Sequence, residues 1–263
     1  MKASLLIIVL SFVSCAQVNL PYFSKNEEAN FLKGWRAQES LDYTHHLASF
    51  EETYLDSTST EEIKLLGKAK EYLENLALTI LENNELFFSE GIRPKLHVVK
   101  HAVPFHFSLP GRVVFLSTSL LNKYVKHEAV LASILSYELV RSEKQLYNRF
   151  LIVPVGYLPI ERVLGLSRIE VDEKVEIHKW AYHSVRRAGF DGEYYLSWLQ
   201  TMNRNTADFI PLVGDGNSLS REEAMFKAFM IRRSKSEDER AFARRESSKE
   251  FYQFLFFVKD KSV

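Results

Sequence analysis

The sequence predicts an α+β domain, mainly helical, with a small antiparallel sheet packed on the core helices. Apolar residues recur at helical spacing in two long segments, and two β-type runs flank a Leu-Pro-Gly turn. No internal repeat or low-complexity stretch interrupts the chain, so one main domain is the economical reading. With 46% hydrophobic and 26% charged side chains in 263 residues, there is ample material for a packed core. Lys plus Arg number 34 and Asp plus Glu also 34, which removes the electrostatic case for nucleic-acid binding.

Residues 1–14 have the charged start, apolar run and small-residue end of a secretory signal peptide, too short to span a bilayer. Cys15 is the only cysteine and follows directly. Its placement resembles a bacterial lipoprotein signal, in which the thiol is acylated and becomes the first mature residue; Phe12 departs from the Leu that pattern prefers. An ordinary secretory signal with a chance cysteine is the alternative. Either reading takes the chain out of the cytoplasm, and the first holds it to a membrane through N-terminal lipid.

Residues 15–59 are polar and broken and read as an N-terminal arm, with the domain spanning 60–263. Thr60, followed by Glu61 and Glu62, has the chemistry of a helix start. Ile63, Leu66, Leu73, Leu76, Ala77, Ile80 and Leu81 then predict one amphipathic helix ending near Phe88. Gly91 and Pro94 break it. The runs Leu96 to Lys100 and Arg112 to Thr118 predict two strands, with Leu109-Pro110-Gly111 as the turn between them. A helix from about His127 to Phe150 carries so apolar a face that it belongs at the centre of the core. After the loop containing Pro154, Gly156 and Pro159, a further helix runs from about Ser167 to Ala188 and stops at Gly189. Helical segments follow from Gly192, with a loop at Gly214 to Ser218 and a charged stretch from Arg232 to Glu250. The aromatic run Phe251 to Phe257 fits either a core helix or a partner surface.

Three blocks within residues 94–191 resemble the zinc metallopeptidases of the HtpX and CAAX-prenyl-endopeptidase type, a gluzincin (zincin-like) family. The first is PKLHVVKHAVPFHFSLPGRVVFLSTSLL, similar to that family's strand, Asn-Ala-Phe-Ala-Leu-Pro-Gly segment and following strand. Phe107, Leu109, Pro110 and Gly111 match, while Phe105 and His106 replace the Asn-Ala pair and Arg112 replaces a second Gly. The second, HEAVLASILSYELVRS, is similar to the helix bearing HExxH. The third, SRIEVDEKVEIHKWAYHSVRRAGFD, is similar to the helix that carries the glutamate ligand.

In such enzymes two His one turn apart and a Glu from a second helix hold zinc, and the Glu after the first His is the general base. The resemblance assigns the base to Glu138 and the third ligand to Glu176, with His178 in place of the family's Asp. Both histidines are gone: the pentad here is Tyr137-Glu138-Leu139-Val140-Arg141. Arg offers donors only and cannot ligate a cation. No zinc or other cofactor is therefore expected, unless His97, His101, His106 or His183 supplies ligands from elsewhere; His127 lies nearly three turns before Tyr137, and the adjacent His45 and His46 read as a surface feature, since neighbours on a helix do not face one another. His178 stands about 200° around the helix from Glu176 and points away from any ion that residue could bind.

The charge pattern suggests a substitution. Arg141 is expected to lie within salt-bridge distance of Glu176 or Glu138, a fixed positive charge in place of the metal, with the Tyr137 hydroxyl nearby. The alternative is that Glu138 and Arg141 form an i, i+3 surface pair. Three functions then stand open. The first is a pseudopeptidase, a lipoprotein of the bacterial envelope facing the periplasm from the outer membrane. It would bind envelope polypeptides in protein quality control at the sheet edge near Arg112 to Thr118 or just before it, through Phe107, Leu109, Pro110, Gly111 and Arg112. The second is an active zinc endopeptidase with an atypical site. The third is a structural or assembly lipoprotein whose old cleft is filled.

Overall fold

The computed structural model describes residues 40–57, 60–148, 159–234 and 246–262. The signal segment 1–14, Cys15, the arm up to residue 39, Phe150, Pro154, Gly156 and much of the charged stretch before Glu250 lie outside the described residues. Two compact units divide the chain, Met1–Tyr43 and Thr44–Val263. Of the first, only Ser40–Tyr43 are described, as the first residues of helix α1 (Ser40–Ala48).

The second unit is mixed α+β. After α1 come α2 (Phe50–Leu55), β1 (Glu61–Ile63), α3 (Gly67–Glu82), β2 (Lys95–Lys100), β3 (His106–Leu109), β4 (Val113–Ser117) and α4 (Thr118–Lys123). Then follow α5 (Glu128–Lys144), α6 (Ile160–Gly165), α7 (Val171–Arg187), α8 (Glu193–Arg204), α9 (Thr206–Val213), α10 (Gly216–Ser234) and α11 (Lys249–Ser262). The stretch read as an arm contributes to this unit: Leu47, Phe50 and Tyr54 are buried, and Tyr54 packs edge-on against Phe107 and Phe115.

Three expectations change. Thr60 does not start a helix, because Glu61–Ile63 pairs antiparallel with Val98–Lys100 and buries Ile63 in the sheet. The helix begins only at Gly67, after an extended Leu66, and ends at Glu82, with Phe88 in the turns beyond. The sheet is mixed, in the order β1-β2-β4-β3, with β2 and β4 parallel. The reason is the extra strand β3: it turns back through Pro110-Gly111-Arg112 to pair antiparallel with β4, and this excursion lets β4 run beside β2 in the same direction. β4 is therefore interior, and the edges are β1 and β3.

Helix α5 is the centre of the core. Every residue from Glu128 to Ser142 is buried, polar ones included. It packs against α7 on one side and against β3 and β4 on another. A helix apolar on all faces buries all faces, and its few polar residues must then find partners inside the protein. Helix α11 shares its aromatic run between two environments: Phe251, Phe254 and Val258 are buried, whereas Tyr252 and Phe256 face out. No helix among the described residues is long and apolar enough to cross a membrane.

Candidate functional site

Three polar residues of α5, Tyr137, Glu138 and Arg141, meet side chains from β3, α7, α8 and α10 at one buried locus. Tyr137, Glu138 and Arg141 lie within a single turn of α5. Glu138 is wholly buried; its Oε1 accepts from His106 Nδ1 at 2.5 Å, and its Oε2 contacts Arg141 Nη2 at 2.5 Å as an ion pair. Ser108, two residues along β3 from His106, donates to the Glu138 carbonyl at 2.9 Å and accepts from Arg141 Nε at 3.4 Å. The guanidinium carbon stands 5.8 Å from the ring centres of both Tyr137 and Tyr147. Burial pushes the Glu138 carboxyl up, but the Arg141 charge and the His106 hydrogen bond outweigh it and hold the group below its ordinary value.

A second ion pair lies alongside. Lys174 of α7 reaches Glu222 of α10 at 2.9 Å, and Ser218 hydrogen-bonds the same carboxylate oxygen at 2.8 Å. His178, one turn after Lys174, is 3.4 Å from Glu222 Oε2 and 2.9 Å from the Tyr195 hydroxyl of α8. Burial raises the Glu222 carboxyl, yet the His178 hydrogen bond and the Lys174 charge bring it down to about 2. His178 is held below its ordinary value chiefly by burial, so at neutral pH it is uncharged and donates from Nε2 to Glu222 while Nδ1 accepts from Tyr195. The ring of Tyr137 separates the two pairs, 5.9 Å from His106 and 4.7 Å from His178 between centroids. Burial also keeps its hydroxyl protonated by pushing its pKa well up.

Glu176 is not part of this locus. Its side chain is 57% exposed and pairs with Lys179 on the surface of α7. The 200° separation of Glu176 from His178 holds, but it is His178 that faces α5, together with Lys174 four residues earlier. Arg141 therefore meets Glu138 and not Glu176, and the pair is a core pair rather than a surface one.

The residues expected to bind substrate are placed otherwise. Phe107 and Leu109 are buried, and Phe107 stacks on Phe115 at 4.6 Å. Pro110 is buried and only Gly111 of the turn is exposed, at φ +83°. Arg112 is buried in the left-handed region, at φ +63°, and its guanidinium donates to Glu143 and to the carbonyls of Ser89 and Ile92. The turn is an internal anchor, and the edge strand β3 is buried along its whole length.

The locus does not suit a zinc ion. A divalent cation needs several lone-pair donors turned toward one point. Here each carboxylate is already faced by a fixed cation, and His106 Nδ1 is committed to Glu138. The lone uncommitted buried nitrogen of the cluster is His106 Nε2. Among the described residues no three His, Cys, Asp or Glu side chains gather as a metal-holding group. The cavity between His106, Tyr137, Lys174, His178, Tyr195 and Glu222 measures about 30 Å³, room for about one water molecule.

Sequence reasoning missed Lys174, Glu222, Tyr195 and the role of His106. For the first two a signal was present. Lys174 falls in register with His178, Ala181 and Val185, and Glu222 with Leu219 and Phe226, so each polar residue sat on an otherwise apolar face. Compared with known proteins, the chain matches no family model and no curated protein.

Proposed function

We propose that this chain is a non-hydrolytic, metallopeptidase-like lipoprotein of the bacterial envelope, exported through residues 1–14, anchored at Cys15, and acting as a structural or assembly component. The observation that carries the loss of hydrolysis is the environment of Glu138. The residue at the position of the general base has one carboxylate oxygen on His106 and the other on Arg141, both at 2.5 Å, and is wholly buried, so that neither oxygen is presented to a water nucleophile. The order strand, Leu-Pro-Gly turn, strand, buried core helix and second helix packed against it supports the zincin-like reading of the fold.

Of the two non-hydrolytic readings, the filled one is favoured. Capture of extended polypeptide in the old cleft needs an open groove and an accessible strand edge. The cleft holds about 30 Å³ and β3 is buried. Metal analysis and a peptidase assay on the purified protein test the proposal. Substoichiometric zinc and no hydrolysis that depends on Glu138 are expected. Stoichiometric zinc together with proteolysis abolished by Glu138→Gln would overturn it.

A further inference from the structure

A groove of about 470 Å³ lies between α3 and α11, with the first residue of α5 and the turn after α7 at its base. Small-ligand sites commonly measure about 300–1,000 Å³. The base holds a buried carboxylate. Glu128, 4% exposed, accepts from the Tyr72 hydroxyl at 3.0 Å and the Ser248 hydroxyl at 2.8 Å through Oε1, and from the Ser248 amide at 2.9 Å through Oε2. A carboxylate oxygen accepts two hydrogen bonds, so Oε2 keeps one acceptor position among the described residues. The donors on Tyr72 and Ser248 hold the group rigid, so a ligand that meets it does not have to order it. Leu76 and Phe190, both buried, give the base an apolar part. The walls carry two exposed side-chain amides, Asn75 on α3 and Gln253 on α11, and neither hydrogen-bonds another group among the described residues.

The chemistry of these side chains selects a ligand class. Lys68, Lys249 and the N-terminus of α11 would draw an anion, but Glu71, Glu128 and Glu250 line the same groove and offset them. A metal ion needs several lone-pair donors turned toward one point, and no such group gathers among the described residues. An extended peptide pairs with a sheet edge and an amphipathic helix fills an apolar groove; this groove borders no strand, and its walls are polar. A neutral molecule dense in groups that both donate and accept, with one apolar side, matches the lining. We propose that the groove binds a neutral oligosaccharide. Its ring hydroxyls donate to Glu128 and exchange hydrogen bonds with the Asn75 and Gln253 amides, while a C–H face leaves water against Leu76 and Phe190. The site shares no residue with the Glu138 locus and needs no anchor at Cys15, so it stands or falls independently of the reading above.

The test is incubation of the purified protein with an array of neutral, acidic and basic oligosaccharides, followed by calorimetric titration with the neutral member held best. Retention of neutral members is expected, at low and high salt alike. Asn75→Ala with Gln253→Ala should weaken it about tenfold or more, as loss of two hydrogen-bonding side chains implies; both residues are exposed, so the melting temperature should not move. Asn217→Ala, at an exposed amide of α10, should leave binding unchanged. Binding in the titration as well as on the array assigns a free oligosaccharide, and binding on the array alone assigns a chain displayed on a surface; either supports the inference. No retention, retention of charged members alone, binding that survives the paired substitution, or loss with Asn217→Ala each overturns it.

Discussion

Arg141 and Glu138 lie one turn apart on α5 and meet at 2.5 Å in the core, each side chain no more than 2% exposed. A surface pair at this spacing contributes a few tenths of a kcal/mol. A buried one behaves differently: removal of either partner strands the other charge where water cannot reach it.

Arg141→Met should therefore lower the unfolding free energy by about 3–5 kcal/mol, and Glu138→Leu by a similar amount. The double variant should be more stable than either single one, since no unpaired charge remains. Urea unfolding of the four proteins measures this coupling, and additive losses would mean that the two side chains act independently.

Stability should fall on the acid side in two stages. His178 has a depressed pKa, so below the ordinary value of 6.5 the unfolded chain takes up a proton that the folded protein resists, and stability declines as pH falls through that point. Glu138 and Glu222 also have depressed pKa values, and their contribution is complete above about 4.5 and lost below it. For Glu222, at about 2, the loss continues down to that pH, and it amounts to about 3 kcal/mol. Glu222→Gln should flatten the lower stage and His178→Asn the upper one in a plot of unfolding free energy against pH.

Lys174 and Glu176 separate the inward and outward faces of α7. Lys174→Met strands Glu222 and should cost about 3 kcal/mol, whereas Glu176→Gln removes an exposed pair and should change stability by less than about 0.5 kcal/mol. The same contrast governs metal binding. Tyr137→His with Arg141→His should not gain zinc while the Lys174 ammonium faces the same cavity, and adding Lys174→Glu should produce a calorimetric binding signal. Zinc binding by the two-residue variant alone would place Lys174 outside the reach of the ion.

Arg112→Gly and Arg112→Ala both delete the anchor of the α3–β2 loop, yet only glycine relieves the positive φ. The glycine variant should be the more stable of the two by about 1 kcal/mol, and both should melt below the parent. Equal melting temperatures would mean that the left-handed conformation at Arg112 carries no strain.

Much of the fold was readable because it rests on local periodicity. The apolar spacing around Ile134 and Leu139 marked the core helix, and Gly189 marked the end of α7. β1 was not readable, since a three-residue strand has no period to detect and Glu61–Ile63 gains its conformation from Val98–Lys100. The parallel pairing of β2 with β4 was hidden for a related reason: it depends on β3, a strand that the Leu-Pro-Gly signal concealed within an expected turn. At the candidate site, the placing of Arg141 beside Glu138 was legible from spacing along a single helix.

By itself the sequence determined that the chain has a buried central helix and that a fixed cation, Arg141, sits one turn from Glu138 on it. Only the tertiary structure decided that His106 shares the Glu138 carboxylate, that Lys174 rather than Glu176 faces inward, and that Glu222 answers it from α10. The physical reason is that a helix fixes the angles between its own residues but not which face turns to the core. That choice, and the partner of every buried charge, is made by contacts between segments far apart in the chain.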